Sequence, residues 1–176
     1  MSRPNNITQH VITVLVEDKP GVLARVSSMF ARRGFNIHSL AVGPTADPNL
    51  SRMTVVADGP EMEQIIKQLY KLVNTVKVTE HAPGSAVERE IMLVRVNADA
   101  KRRGEILDAA RIFDARAVDV GKITVTFELS GDPDRLSDFL ELMRPYGIVD
   151  LVKSGRIALA RDPKTKNGRK PELRSA

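Results

Sequence analysis

Cysteine and tryptophan are absent from the 176 residues, and aromatic side chains make up only 4%. Without a thiol there is no disulfide framework, thiolate nucleophile, zinc ribbon or iron–sulfur centre, and a reducing compartment suits the chain. Long apolar runs are missing too. The longest, residues 91–94 and 157–160, span four positions, far short of the roughly 20 that cross a membrane or of a signal-peptide core. The expected location is the cytoplasm, with no membrane partner. What is present is 42% hydrophobic and 28% charged residues, a globular balance that excludes collagen-like and wholly disordered chains. The length fits one ordinary domain or two small ones.

Catalytic and cofactor motifs are missing as well. None of the 11 glycines builds G-x-G-x-x-G, and Gly121-Lys122 lacks the upstream glycine and the hydroxyl of a phosphate-binding loop. There is no H-E-x-x-H, and His10, His38 and His81 stand on separate predicted strands or strand ends, so no metal is expected. Asp132 and Asp134 flank Pro133 at a predicted helix start, where acids cap amides and complement the dipole. Ser27 and Ser28 lie within a helix without a nearby His or Asp, so neither reads as a nucleophile. The expectation is a protein with no catalysis and no cofactor of its own.

An excess of charge of either sign is lacking once the carboxyl-terminal stretch is set aside. The formal net charge of +5 points toward nucleic acid only until it is divided along the chain. Residues 1–83 carry 9 basic against 7 acidic side chains, residues 84–160 carry 12 against 13, and residues 161–176 carry 6 against 2. The last stretch, with Pro163, Gly168 and Pro171 and with Leu173 as its lone large aliphatic, reads as a basic disordered tail over 162–176. Two roles stay open for it, a solubilising end and an electrostatic contact with an acidic partner. RNA-recognition modules stack bases on aromatics of their central strands, and the predicted strand 52–57 has none. Nucleic acid is not an expected partner.

Residues 8–16 are rich in β-branched side chains and end at Glu17-Asp18-Lys19-Pro20-Gly21, so a strand feeds a turn. Val22, Val26, Met29 and Phe30 then recur at helical spacing up to Gly34. Residues 36–43 and 52–57 read as strands. Met62, Ile65, Ile66, Leu69, Leu72 and Val73 trace a second helical stripe with Glu61 and Glu63 at its positive start. Residues 75–80 close the unit, with Val76 and Val78 on one face. That order, βαββαβ in about 75 residues, predicts a ferredoxin-like sandwich of four strands with two helices on one face.

Residues 81–87, containing Pro83, Gly84 and Ser85, read as a linker, and beyond it the order returns. Strand 90–96 leads to helix 103–115, with Ile106, Leu107, Ala110 and Phe113 inward. Strands 117–120 and 123–129 meet near Gly121-Lys122. Helix 133–144 turns Leu136, Phe139, Leu140 and Met143 inward, strand 148–152 follows, and a last segment, 156–160, is expected to hairpin back across Ser154-Gly155. The expected fold class is α+β: two tandem ferredoxin-like sandwiches, over 8–81 and 88–161.

One place looks like a site. Glu17-Asp18-Lys19-Pro20-Gly21-Val22-Leu23 sets Pro and Gly between a strand and the first helical turn, where backbone amides lack partners and the dipole is positive. Gly21 has no Cβ, so a carboxylate can come close. Two readings stay open, an ordinary strand-to-helix turn and a carboxylate cradle. Asn36, at the start of the second strand, offers both donor and acceptor to an amino acid's polar head, and Ile37 and Leu40 could receive an apolar side chain.

Here the sequence resembles a known family. D-x-P-G-V-L-A-R-V-x-x-x-F-x-x-R-G-F-N-I (18–37), A-V-x-P-T-x-D-P-x-L-S-R-M-T (41–54), Q-L-x-K-L-V (68–73) and V-E-R-E-I-M-L-V (87–94) are similar to the regulatory, or small, subunit of acetolactate synthase, whose amino-terminal half is an ACT domain. The resemblance runs from about residue 8 to residue 161. It implies a non-catalytic partner of the thiamine-diphosphate-dependent large subunit, one that raises its activity and confers feedback inhibition by valine or another branched-chain amino acid. It further implies a homodimer through the ACT domain with the effector at the interface. Gly21 and Val22 of one chain would hold the carboxylate, Asp18 the ammonium, and Asn36 and Ile37 of the other chain the opposite side. The second half reads Asn97-Ala98-Asp99-Ala100 at the matching turn, lacks Pro-Gly, and is expected to bind no effector. His38 departs from the acidic residue expected in this family. A free-standing ACT-type amino-acid sensor is the alternative, against which V-E-R-E-I-M-L argues.

Overall fold

The computed structural model describes residues 9–58 and 62–162; Thr8, Glu61 and the expected tail from residue 163 onward lie outside them. Alternation along β1 (His10–Glu17) turns Ile12, Val14 and Val16 to one face, and all three are buried because two helices cover that face. α1 (Val22–Arg32) buries Val22, Val26, Met29 and Phe30, and α2 (Met62–Leu69) buries Met62, Ile65 and Leu69. Met53 and Val55 of β3 (Leu50–Asp58) and Val78 of β4 (Thr75–His81) complete this core. With β2 (Asn36–Pro44) at one edge, the antiparallel sheet has the order β2-β3-β1-β4.

The second unit repeats the plan. β5 (Ala86–Asn97), β6 (Arg116–Val120), β7 (Thr124–Gly131) and β8 (Ile148–Lys153) form the order β6-β7-β5-β8, with α3 (Arg103–Arg111) and α4 (Pro133–Met143) supplying the apolar cover. Phe139 packs edge-on against Phe113 and Phe127, with ring centroids 5.5 and 6.0 Å apart. Asp132 caps α4 by accepting from the Arg135 amide at 2.9 Å, with Pro133 in the first turn, as expected of acids at a helix start. The fold is α+β, two ferredoxin-like sandwiches in tandem.

Several boundaries differ from expectation for packing reasons. α2 stops at Leu69, where the amides of Lys71 and Leu72 donate to carbonyls three residues back and tighten the chain into a turn. Val73 is consequently 93% exposed and lies off the inward stripe. On the edge strand β4, Val78 is buried while Val76 stays half exposed. α3 stops at Arg111, and Asp114 (φ 51°) reverses the chain.

The expected linker shrinks to residues 82–85, because His81 ends β4 and Ala86 already belongs to β5. Ala86 packs with Val11, Val56 and Ala158 in a third apolar cluster, which rewards an early strand start. β9 (Ile157–Ala160) pairs with residues 86–89 of β5, and β8 pairs with Met92–Val96. The expected hairpin onto β8 is therefore wrong. Lys153 stands opposite Met92 and Ile157 opposite Arg89, so the chain runs on along β5 after a break at 154–156. Ser154 bridges the break: its amide donates to the Ile91 carbonyl at 2.9 Å and its Oγ accepts from the Ile91 amide at 3.1 Å. The β5–β9 ribbon lies over the outer face of the first sheet, the face opposite the helices.

Candidate functional site

Gly21 has φ 84° and ψ −5°, the left-handed region, and an added Cβ there would meet nothing within 4 Å. Conformation, not crowding, selects glycine. As the residue capping α1 it offers no side chain, and the first turn holds no acid. Among the described residues the amides of Gly21, Leu23 and Ala24 find no acceptor, and Val22 has only a long 3.4 Å contact to the Lys19 carbonyl. The positive end of the helix is thus open.

A polar network holds this turn. Asn74, buried between β1 and α1, accepts from the Arg25 guanidinium at 2.7 Å and donates to Glu17 at 2.6 Å, while Lys19 lies 2.9 Å from the same carboxylate. Hydrogen bonds from Lys19 and then Asn74 keep the Glu17 carboxyl below the usual carboxylate range. Asp18 is exposed, and its amide donates to the Asn49 carbonyl at 2.8 Å, tying the turn to the β2–β3 connection. Asn49 and Asn74 were not legible in the sequence, since Asn49 acts through its backbone carbonyl and Asn74 through a carboxamide that joins residues far along the chain.

Asn36 and Ile37 lie elsewhere. Asn36 is opposite Asp58 at the far end of β3, whereas Glu17, just before the turn, is opposite Leu50 at its start. Eight strand steps separate the two ends, about 27 Å. Within one chain, then, Gly21 and Val22 come together with Asp18, and Asn36 with Ile37, but the two groups do not meet. Asn36 Nδ2 stands 3.4 Å from a ring nitrogen of His38, whose Nε2 is 2.7 Å from Asp58. Asp58 supplies a carboxylate near the place where His38 replaces the expected acid; nothing in the spacing announced it.

The second unit's matching turn differs. Asp99 Oδ1 accepts from the amides of Lys101 and Arg102, both at 2.9 Å, so a carboxylate of the chain itself sits in the turn that leads to α3, although α3 has no side-chain cap at Arg102. A cleft of about 640 Å³ opens between Ala41, Arg52 and Thr54 of the first unit and Val87, Ile157 and Leu159 of the ribbon. None of the five candidate residues lines it.

Two ferredoxin-like units in tandem, the first with an uncapped helix start after a Pro-Gly turn, define an ACT-type protein. Residues 12–77 match the family model described as the AHAS small subunit-like ACT domain, and residues 89–162 match that of the small subunit of acetolactate synthase. The probable acetolactate synthase small subunit of Archaeoglobus fulgidus is 52% identical over 158 residues, covering 89% of this chain and 99% of that protein. The acetolactate synthase small subunit of Mycolicibacterium smegmatis is 48% identical over 163 residues, covering 91% and 95%. The crystal structure of the acetolactate synthase small subunit from Thermotoga maritima aligns with a TM-score of 0.81 at 37% identity, covering 89% of this chain and 99% of that one. The chain belongs to the acetolactate synthase small subunit family.

Proposed function

We propose that this chain is the regulatory subunit of a cytoplasmic acetolactate synthase, non-catalytic itself, which binds the catalytic subunit, raises its activity and makes it sensitive to valine. The observation that carries the reading is the Pro-Gly turn at Gly21, whose amides stay open for a guest carboxylate, whereas the matching turn of the second unit already holds the Asp99 carboxylate on the amides of Lys101 and Arg102. The effector lies between two copies. β2 is a nine-residue edge strand, and antiparallel pairing of two such edges brings the Asn36 end of one sheet beside the Gly21 end of the other. Gly21 and Val22 then bind the carboxylate, Asp18 the ammonium, Asn36 the polar head and Ile37 the apolar side chain.

The test is to mix the chain with the catalytic subunit, follow acetolactate formation, and titrate valine, isoleucine and leucine. Added chain should raise the rate, and one of the three amino acids should lower it again. An unchanged rate with no response to any of them refutes the reading, as does turnover by the isolated chain.

A further inference from the structure

β2 carries both an effector residue and a docking residue, and an irregularity sets their relation. Its register against β3 slips between Ile37 and Ser39: Ile37 faces Ala57, Ser39 faces Val56, and His38 is the extra residue. Such a bulge reverses which face the following side chains point to. Without the slip Ser39 would oppose Val55 in the helix-side core; with it, Ser39 joins Val56 on the outer face, under the ribbon. The His38–Asp58 contact of 2.7 Å clamps the bulged residue to β3.

Ser39 Oγ accepts from the backbone amide of Arg156 at 2.7 Å. Next to it Gly155 has φ 85°, and a Cβ there would lie 2.9 Å from the Leu40 carbonyl oxygen and 3.3 Å from Ser39 Oγ. Backbone meets backbone at this point, with no side chain to absorb a shift. The far side is equally fixed: Arg156 is paired with Glu88 of β5 at 3.0 Å in a mostly buried contact, and Ser154 is bonded to Ile91. The break between β8 and β9 is therefore fastened to the second sheet on one side and to β2 on the other, two residues beyond Ile37.

We propose that Ser39 and Gly155 form the joint through which effector occupancy at Asn36 and Ile37 reaches the second unit. The proposal rests on the effector reading above. A ligand that pulls the start of β2 displaces the bulge, and Ser39 carries the displacement to 154–156 and so to the orientation of the second sheet. Coupling of this kind requires an element that both sites bias, and the bulged strand is that element.

The test uses the full chain in complex with the catalytic subunit, with valine, isoleucine and leucine as probes. Ser39→Ala and Gly155→Ala should bind the effective amino acid within about twofold of the parent by calorimetry. At saturating amino acid they should retain activity that the parent complex loses, the maximal inhibition falling by a factor in the roughly 5- to 150-fold range of allosteric coupling. Ser39→Thr, which keeps the acceptor oxygen, should restore sensitivity. In the parent chain, saturating effector should change hydrogen exchange at the Arg156 amide. Unaltered inhibition in both variants overturns the joint, and so does parallel loss of binding and inhibition, which would make Ser39 part of the effector site. Unchanged exchange at Arg156 likewise overturns it. If the parent binds none of the three amino acids, the effector reading fails first and the joint falls with it, an outcome distinct from intact binding with intact inhibition.

Discussion

At the residue scale, Gly21 separates two effects that a single substitution usually mixes. Its φ of 84° makes any side chain cost about 1 kcal/mol in strain, while the open space around it adds no clash. Gly21→Ala should therefore lower stability by about that amount. Gly21→Asp should cost no more, because Asp tolerates this conformation better and an acid at a helix start is favourable, yet it should abolish inhibition by placing a carboxylate among the free amides. Urea unfolding beside an inhibition assay checks both; a Gly21→Asp complex with full sensitivity counts against the site. His81 offers a pH test. Burial pushes its imidazole below the ordinary value, with Arg52 acting in the same direction and Glu88 against it, and Thr13 Oγ1 lies 3.0 Å from its Nε2. The unfolded chain then takes up a proton that the folded chain refuses. The stability His81 contributes is fully present above the ordinary histidine value and is lost as pH falls from there toward the lowered one. Between about pH 7.5 and 5.5 the urea midpoint of His81→Gln should fall less than that of the parent; equal slopes would remove His81 from the account.

At the element scale, the starts and inward faces of the helices are legible in the sequence because their determinants are local. The 3.6-residue stripes of α1 and α4 and the acids beside Pro133 state where each helix lies and how it begins. Asp132→Ala should cost about 1 kcal/mol, measured by chemical denaturation, through loss of the cap to the Arg135 amide. The ends of helices and strands are less legible. α2 and β4 misplace Val73 and Val76 because a stripe records periodicity, not where covering side chains run out. β9 was misjudged because a glycine turn resembles a hairpin signal. Its partner was decided by β5, which outruns its own sheet by four residues and presents a free edge, and by Ser154, whose hydroxyl replaces a missing ladder bond.

For the whole molecule, the two units are joined by an apolar seam as well as by a short loop. Val56 is 1% exposed beneath Ala86 and Ala158, on the face of β3 away from the helices. Val56→Asp should cost about 3 kcal/mol by burying an uncompensated charge. It should also split unfolding into two transitions and speed proteolytic cleavage at residues 82–85; a single unshifted transition would show that the seam contributes nothing. The candidate site has the same whole-molecule character, since its two halves stand at opposite ends of one sheet and one chain cannot assemble them.

The amino-acid sequence by itself determined the two βαββαβ units, their cores and the uncapped turn, because helix stripes, strand alternation and Pro-Gly chemistry act within a few residues. Only the tertiary structure decided that β9 pairs with β5, that the end of the supposed linker at Ala86 and Val87 already belongs to a strand packed on a neighbouring sheet, and that a one-residue bulge turns Ser39 toward Arg156. Those outcomes depend on edges, registers and contacts between residues more than a hundred positions apart, which no local pattern encodes.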